Sequence, residues 1–137
     1  MENWEEMFDL NLVQEPQGAY QRKRNPLLEK SYQFALQIIK VSQELQKQNE
    51  YIISKQVVRS GTAIGALSEE AQQAESRADF IHKLSIANKE AHETHYWLRL
   101  LRDSGLIERA KSDDLLVLAE ELRRILIAII KKAKQNK

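Results

Sequence analysis

Cysteine is absent from the 137 residues, which excludes disulfides, thiolate nucleophiles and cysteine-ligated metal. Glycine and proline are scarce, at four and two residues. That argues against a β-sandwich or barrel, which spends both on frequent turns. Three histidines are too few for most imidazole cages. The longest apolar run, Ile125-Leu126-Ile127-Ala128-Ile129-Ile130, falls far short of the ~20 residues that cross a bilayer. The opening Met1-Glu2-Asn3-Trp4-Glu5-Glu6 has the wrong sign for a secretory or mitochondrial leader. No Gly-x-Ser-x-Gly elbow and no phosphate-binding glycine loop occurs. The expectation is one cytoplasmic domain, long enough to bury a single real core.

What remains is patterned for helix. Pro16-Gln17-Gly18 interrupts regular structure early, and Asn25-Pro26 is a helix start, with Asn as cap and Pro in the first turn. Residues 1–25 read as an N-terminal arm and residues 26–137 as one helical unit. A helix over 27–47 carries Leu27, Ser31, Phe34, Ile38, Val41 and Leu45 at alternating spacings of four and three. A second over 51–75 repeats the pattern with Ile53, Val57, Ser60, Ile64, Leu67, Ala71 and Ala74. Ser76-Arg77-Ala78-Asp79 resembles a capping box, and a third helix over 77–103 follows with Phe80, Leu84, Ala87, Ala91, Thr94, Leu98 and Leu101. Ser104-Gly105 ends it. Ser112-Asp113-Asp114 is expected to cap a fourth helix whose seam is Leu115, Leu118, Leu122, Ile125 and Ile129. Short connections make neighbours antiparallel, so the predicted fold is all-α: an up-down-up-down four-helix bundle. Gly61 and Gly65 fall inside a helix, where each costs about 1 kcal/mol relative to Ala, and so call for a close helix crossing.

Apolar residues exceed one stripe per helix. Residues 125–130 are apolar around the whole circumference, and Tyr32, Ile39, Tyr96 and Trp97 lie off their seams. A second stripe means a wide core or a subunit interface. Arg59, Glu70, Glu90, Glu93 and Trp97 flank the seams. Together with Tyr96, Ile127 and Ile130 they are expected in a structural network or a subunit interface rather than in chemistry. Carboxylates without a nucleophile, a metal or a pocket make no active site. The Glu-x-x-His pairs of a di-metal bundle are missing, and Asn88, His92, His95 and Arg99 read as a solvated or interface stripe. Neither a metal nor a cofactor is expected, nor is enzymatic activity.

Charged residues make up 30% of the chain, yet the net charge is only +1. The total hides a gradient. Residues 1–121 carry 15 basic and 20 acidic groups, whereas residues 122–137 carry six basic and none acidic. Arg123, Arg124, Lys131, Lys132, Lys134 and Lys137 either complement a helix C-terminus or form a phosphate-binding patch. Arg22-Lys23-Arg24 is a second basic cluster. The arm sets Trp4, Met7, Phe8, Leu10, Leu12 and Val13 among acids, a composition suited to docking on another subunit or protein.

Three stretches together resemble a known family, over about residues 27–130. They are Ser54-Lys55-Gln56-Val57-Val58-Arg59-Ser60-Gly61-Thr62-Ala63-Ile64-Gly65-Ala66 with Glu70-Ala71, then Ser76-Arg77-Ala78-Asp79-Phe80-Ile81-His82-Lys83-Leu84, then Ile86-Ala87-Asn88-Lys89-Glu90-Ala91-His92-Glu93-Thr94-His95-Tyr96-Trp97-Leu98. The family is that of the bacterial four-helix-bundle proteins encoded in 23S rRNA intervening sequences. Glu70, Glu90, Glu93 and Trp97 match its pattern, whereas Ala63 and Leu67 stand where Ser and Asn are frequent. The resemblance implies a homopentamer without established enzymatic activity. Related proteins accompany the reverse transcriptase of diversity-generating retroelements. Two functional classes follow: a nucleic-acid-binding oligomer, or an adaptor that docks a reverse transcriptase or other RNA enzyme through its arm. No membrane partner is expected.

Overall fold

The structure, a computed structural model, describes residues 25–136. The arm residues up to Arg24 and the terminal Lys137 lie outside the described residues, and with them Arg22-Lys23-Arg24. Four helices follow in order: α1 Pro26–Lys47, α2 Ile52–Ala71, α3 Arg77–Asp103 and α4 Arg109–Gln135. Each packs closely on its neighbour in sequence, and α4 returns to α1 along the loosest of the four seams. This is the predicted antiparallel four-helix bundle.

Local chemistry sets most of the helix ends. Asn25 accepts from the Leu28 backbone N–H at 3.2 Å, with Pro26 in the first turn. Between α1 and α2 the backbone turns through Asn49 at φ 65°, a left-handed conformation that Asn tolerates. Glu50 then accepts from Ile53 N–H at 2.9 Å and serves the start of α2. Ser76 accepts from Asp79 N–H at 3.1 Å, and Asp79 reaches back to Glu75 N–H at 3.2 Å. The reciprocal bond is thus one residue earlier than in a standard capping box. Gly105 closes α3 at φ 76°.

Two boundaries differ from the sequence reading. Helix α2 stops at Ala71, not at residue 75. Residues 72–74 tighten into i−3 bonds from Gln72, Gln73 and Ala74 to the carbonyls of Glu69, Glu70 and Ala71. Ser76 must be extended (φ −159°, ψ 168°) to cap α3, so the chain leaves the helix early. Helix α4 starts at Arg109, and Ser112 is no cap. It is fully buried inside the helix, 3.2 Å from the Glu108 carbonyl, while Asp113 pairs with Arg102 at 3.3 Å. Buried Ile107 anchors the preceding loop to the core, and the helix begins directly after it.

The predicted seams of α1 and α3 are buried at every position. In α2 the predicted Val57, Ser60, Ile64 and Ala71 are buried too, and small residues line the crossing with α1. Ser54, Gly61, Gly65 and Ser68 are buried, whereas Ile53, Leu67 and Ala74 are only half-buried. A Cβ on Gly61 would lie 2.8 Å from Ile38 Cγ2, and one on Gly65 would lie 3.2 Å from Ser31 Oγ. Glycine there is what lets α1 and α2 approach. The paired Ser42 and Ser54 hydroxyls, 2.6 Å apart, close the same seam. In α4 the core face is Leu115, Leu116, Ala119, Leu122, Leu126 and Ala133, while Leu118, Ile125 and Ile129 are half-buried. A run that is apolar all round does not reveal its inward face, and the small Ala119 and Ala133 settle it.

Candidate nucleic-acid interface

Helix α3 has two charged flanks. Toward α2, Arg59 bridges Glu90 at 3.2 Å and also Glu93, while the Trp97 indole N–H donates to the same Glu93 carboxylate at 2.8 Å. These bonds hold the Glu93 carboxyl below its ordinary range, the indole contributing most. Arg59 is raised in turn, chiefly by its bond to Glu93. Beneath them Thr94 Oγ1 lies 2.8 Å from Ser60 Oγ and 2.7 Å from the Glu90 carbonyl, in the dry core. Every member is matched, so this flank joins two helices. Glu70 stands apart from it, 3.7 Å from Lys83. Tyr96 packs edge-on against Trp97 with ring centroids 5.2 Å apart, and the Arg99 guanidinium lies 5.7 Å over the Tyr96 ring.

Toward α4 the balance is different. His95 Nε2 and Arg123 both reach Glu120, each at 3.4 Å. Burial lowers the His95 pKa; Glu120 opposes the shift, and Arg99, Arg123 and His92 reinforce it. One carboxylate therefore takes both Arg123 and the half-buried His95 imidazole. Asn88 Oδ1 and Arg123 Nε are buried here without a hydrogen-bond partner. The stripe of Asn88, His92, His95 and Arg99 does border α4: His95 and Asn88 are half-buried, while His92 and Arg99 are exposed.

Of the predicted basic residues, Arg124, Lys131, Lys132 and Lys134 are exposed on α4, whereas Arg123 is partly buried against Glu120. Lys137 lies outside the described residues. At 3.6 residues per turn, Arg124 and Lys131 fall on one line of the helix, with Lys134 close beside it. Ile127, 46% exposed, sits among them, and Ile130 is half-buried. Arg99, which its spacing of four from His95 and seven from His92 puts on their stripe, lies close enough to act on the charge of His95. Among the described residues no group of three or more His, Asp or Glu side chains converges as a metal site. No helix there is long and apolar enough to cross a membrane.

The family model of the 23S rRNA-intervening sequence protein matches residues 23–128. The chain belongs to that family. A solved structure of a protein of unknown function from the S23 ribosomal protein family of Bacteroides thetaiotaomicron is 47% identical. It covers 77% of this chain and 98% of its own, at a TM-score of 0.75. No curated protein matches. The match of the 23S rRNA-intervening sequence family spans α1 to α3 and most of α4, and it stops inside the basic stretch. Lys131, Lys132 and Lys134 therefore lie beyond the matched residues.

Proposed function

We propose that this 23S rRNA-intervening sequence protein is a non-enzymatic helical oligomer that binds structured RNA through the basic end of α4. The observation that carries this is the display of Arg124, Lys131 and Lys134 as exposed cations on a helix with no acid after Glu121. Arg99 on α3 and Arg123 on α4 add positive charge close to His95 at the seam. Clustered cations attract polyanions, and oligomerisation multiplies the field. The family's name makes 23S rRNA the first polyanion to try. Exposed apolar side chains support self-association: Tyr32 is 61% and Ile52 78% exposed. A homopentamer is the assembly expected from the family resemblance.

The test is RNA binding as a function of salt, comparing the native chain with the Arg124→Glu, Lys131→Glu, Lys132→Glu variant. The proposal expects weaker binding and a shallower dependence of log affinity on log salt. Unchanged affinity and slope refute it. Solution mass tests the assembly, and a monodisperse monomer refutes that part.

A further inference from the structure

The N-terminal arm offers what this basic face would bind. Residues 1–15 contain Glu2, Glu5, Glu6, Asp9 and Glu15 and no Lys or Arg, with Trp4, Met7 and Phe8 between the acids. The outer surface of α4 is the complement. Arg124, Lys131 and Lys134 are exposed there around Ile127, with Val117 further up the helix.

Geometry brings the two together. Lys30 pairs with Glu121 and Lys111 with Glu44, both at 3.0 Å. These ion pairs fix the register of α1 against α4. Pro26 then stands about level with residue 125 of α4, which runs on for roughly 15 Å at 1.5 Å per residue. The chain thus enters the bundle at Asn25 beside the acid-free half of α4. The twelve residues from Val13 to Asn25 reach at most about 40 Å when extended, more than the ~26 Å of helix from Val117 to Lys134.

We infer that residues 2–13 dock on the outer face of α4 around Arg124, Ile127, Lys131 and Lys134, and compete there with polyanions. The competition rests on the RNA-binding reading above; the docking does not. A tethered segment meets its site at an effective concentration of about 1 mM, so even weak docking occupies the site much of the time. The attraction is partly electrostatic and weakens as salt is added.

Because the chain has no cysteine, a nitroxide on Asn11→Cys reports the arm alone in the full-length protein. Paramagnetic broadening is expected at the α4 amides near Ile127 and Lys131. It should be lost in Lys131→Glu, Lys134→Glu. Broadening centred elsewhere, for example at Tyr51 and Ile52, or no localised broadening, overturns the docking. In the second arm of the experiment, Glu2, Glu5 and Glu6 become Gln and Asp9 becomes Asn in the full chain. Affinity for a structured RNA should rise about five- to tenfold at low salt, in line with the tethered competition, and converge with the native value at high salt. Equal affinities at low salt overturn the competition. Localised broadening in a protein that binds no RNA, native or variant, upholds the docking and sinks the RNA reading instead.

Discussion

The two flanks of α3 use similar residues to opposite ends. Facing α2, Arg59 meets two carboxylates and an indole donor shares one of them. Facing α4, Glu120 answers both His95 and Arg123, with Arg99 close enough to be felt by His95, while Arg102 pairs with Asp113 further along. Charges matched across a seam neutralise one another and orient helices. An excess of one sign projects a field into solvent, where a polyanion can use it. The lesson is that charge balance must be read flank by flank, since the whole chain sums to only +1.

The largest expected contrast comes from reversing the exposed basic end of α4, which no carboxylate follows in the sequence. Arg124→Glu, Lys131→Glu and Lys134→Glu together should weaken RNA binding about a hundredfold or more near physiological salt, and flatten the salt slope by about two. All three side chains are exposed, so thermal unfolding should change little. A filter-binding series at several salt concentrations alongside a melt checks both halves of this contrast.

The matched side should behave in the reverse way. Thr94→Val deprives buried Ser60 of its partner, and both residues are fully buried. Leaving a buried hydroxyl unsatisfied costs about 1–3 kcal/mol. Denaturant midpoints should therefore fall while RNA affinity stays level. Arg59→Met is milder: the guanidinium is 47% exposed, and an exposed ion pair contributes roughly 0–1 kcal/mol. Its clearest sign should be a change in Trp97 fluorescence, because the Glu93 acceptor of the indole loses its other anchor.

How legible all this was in the sequence depended on side-chain size. In α1 and α3, Phe34, Ile38, Phe80 and Leu98 sit at strict spacing among polar residues, so their inward faces showed plainly. In α2 the crossing with α1 is made by Ser54, Gly61 and Gly65, which carry no hydrophobic signal, so the two helix-interior glycines mark it instead. In α4 the predicted Leu115 and Leu122 are buried while Leu118, Ile125 and Ile129 lie one face aside, the last two within six consecutive apolar residues that mask any period. The cluster of Arg59, Glu90, Glu93 and Trp97 could be foreseen from residues flanking adjacent seams. Glu70 could not be separated from it, since a one-turn offset along α2 does not show in sequence. Arg99 was visible as part of a stripe, but nothing in one sequence says which helix that stripe will meet.

The smallest predicted effect sharpens the comparison most, because it sets a group that burial keeps neutral against one that hydrogen bonds keep charged. On the matched flank, Glu93 has its pKa lowered by hydrogen bonds that favour its charged form. Facing α4, His95 has its pKa lowered below 6.5, first by burial, with Glu120 opposing and Arg99 and Arg123 adding to the fall. For a histidine depressed in the folded state, the unfolded chain binds the proton more readily. Stability is therefore full above the unfolded pKa of 6.5 and is lost as pH falls through the lower folded value. His95→Gln should flatten the fall in melting temperature just below pH 6.5, and Glu93→Gln should leave that window unchanged. The Glu93 contribution is present above its unfolded value of 4.5 and disappears only under more acid conditions. If His95→Gln leaves the slope below pH 6.5 untouched, then Glu120 offsets the burial of the imidazole and the seam with α4 does not disfavour its charged form.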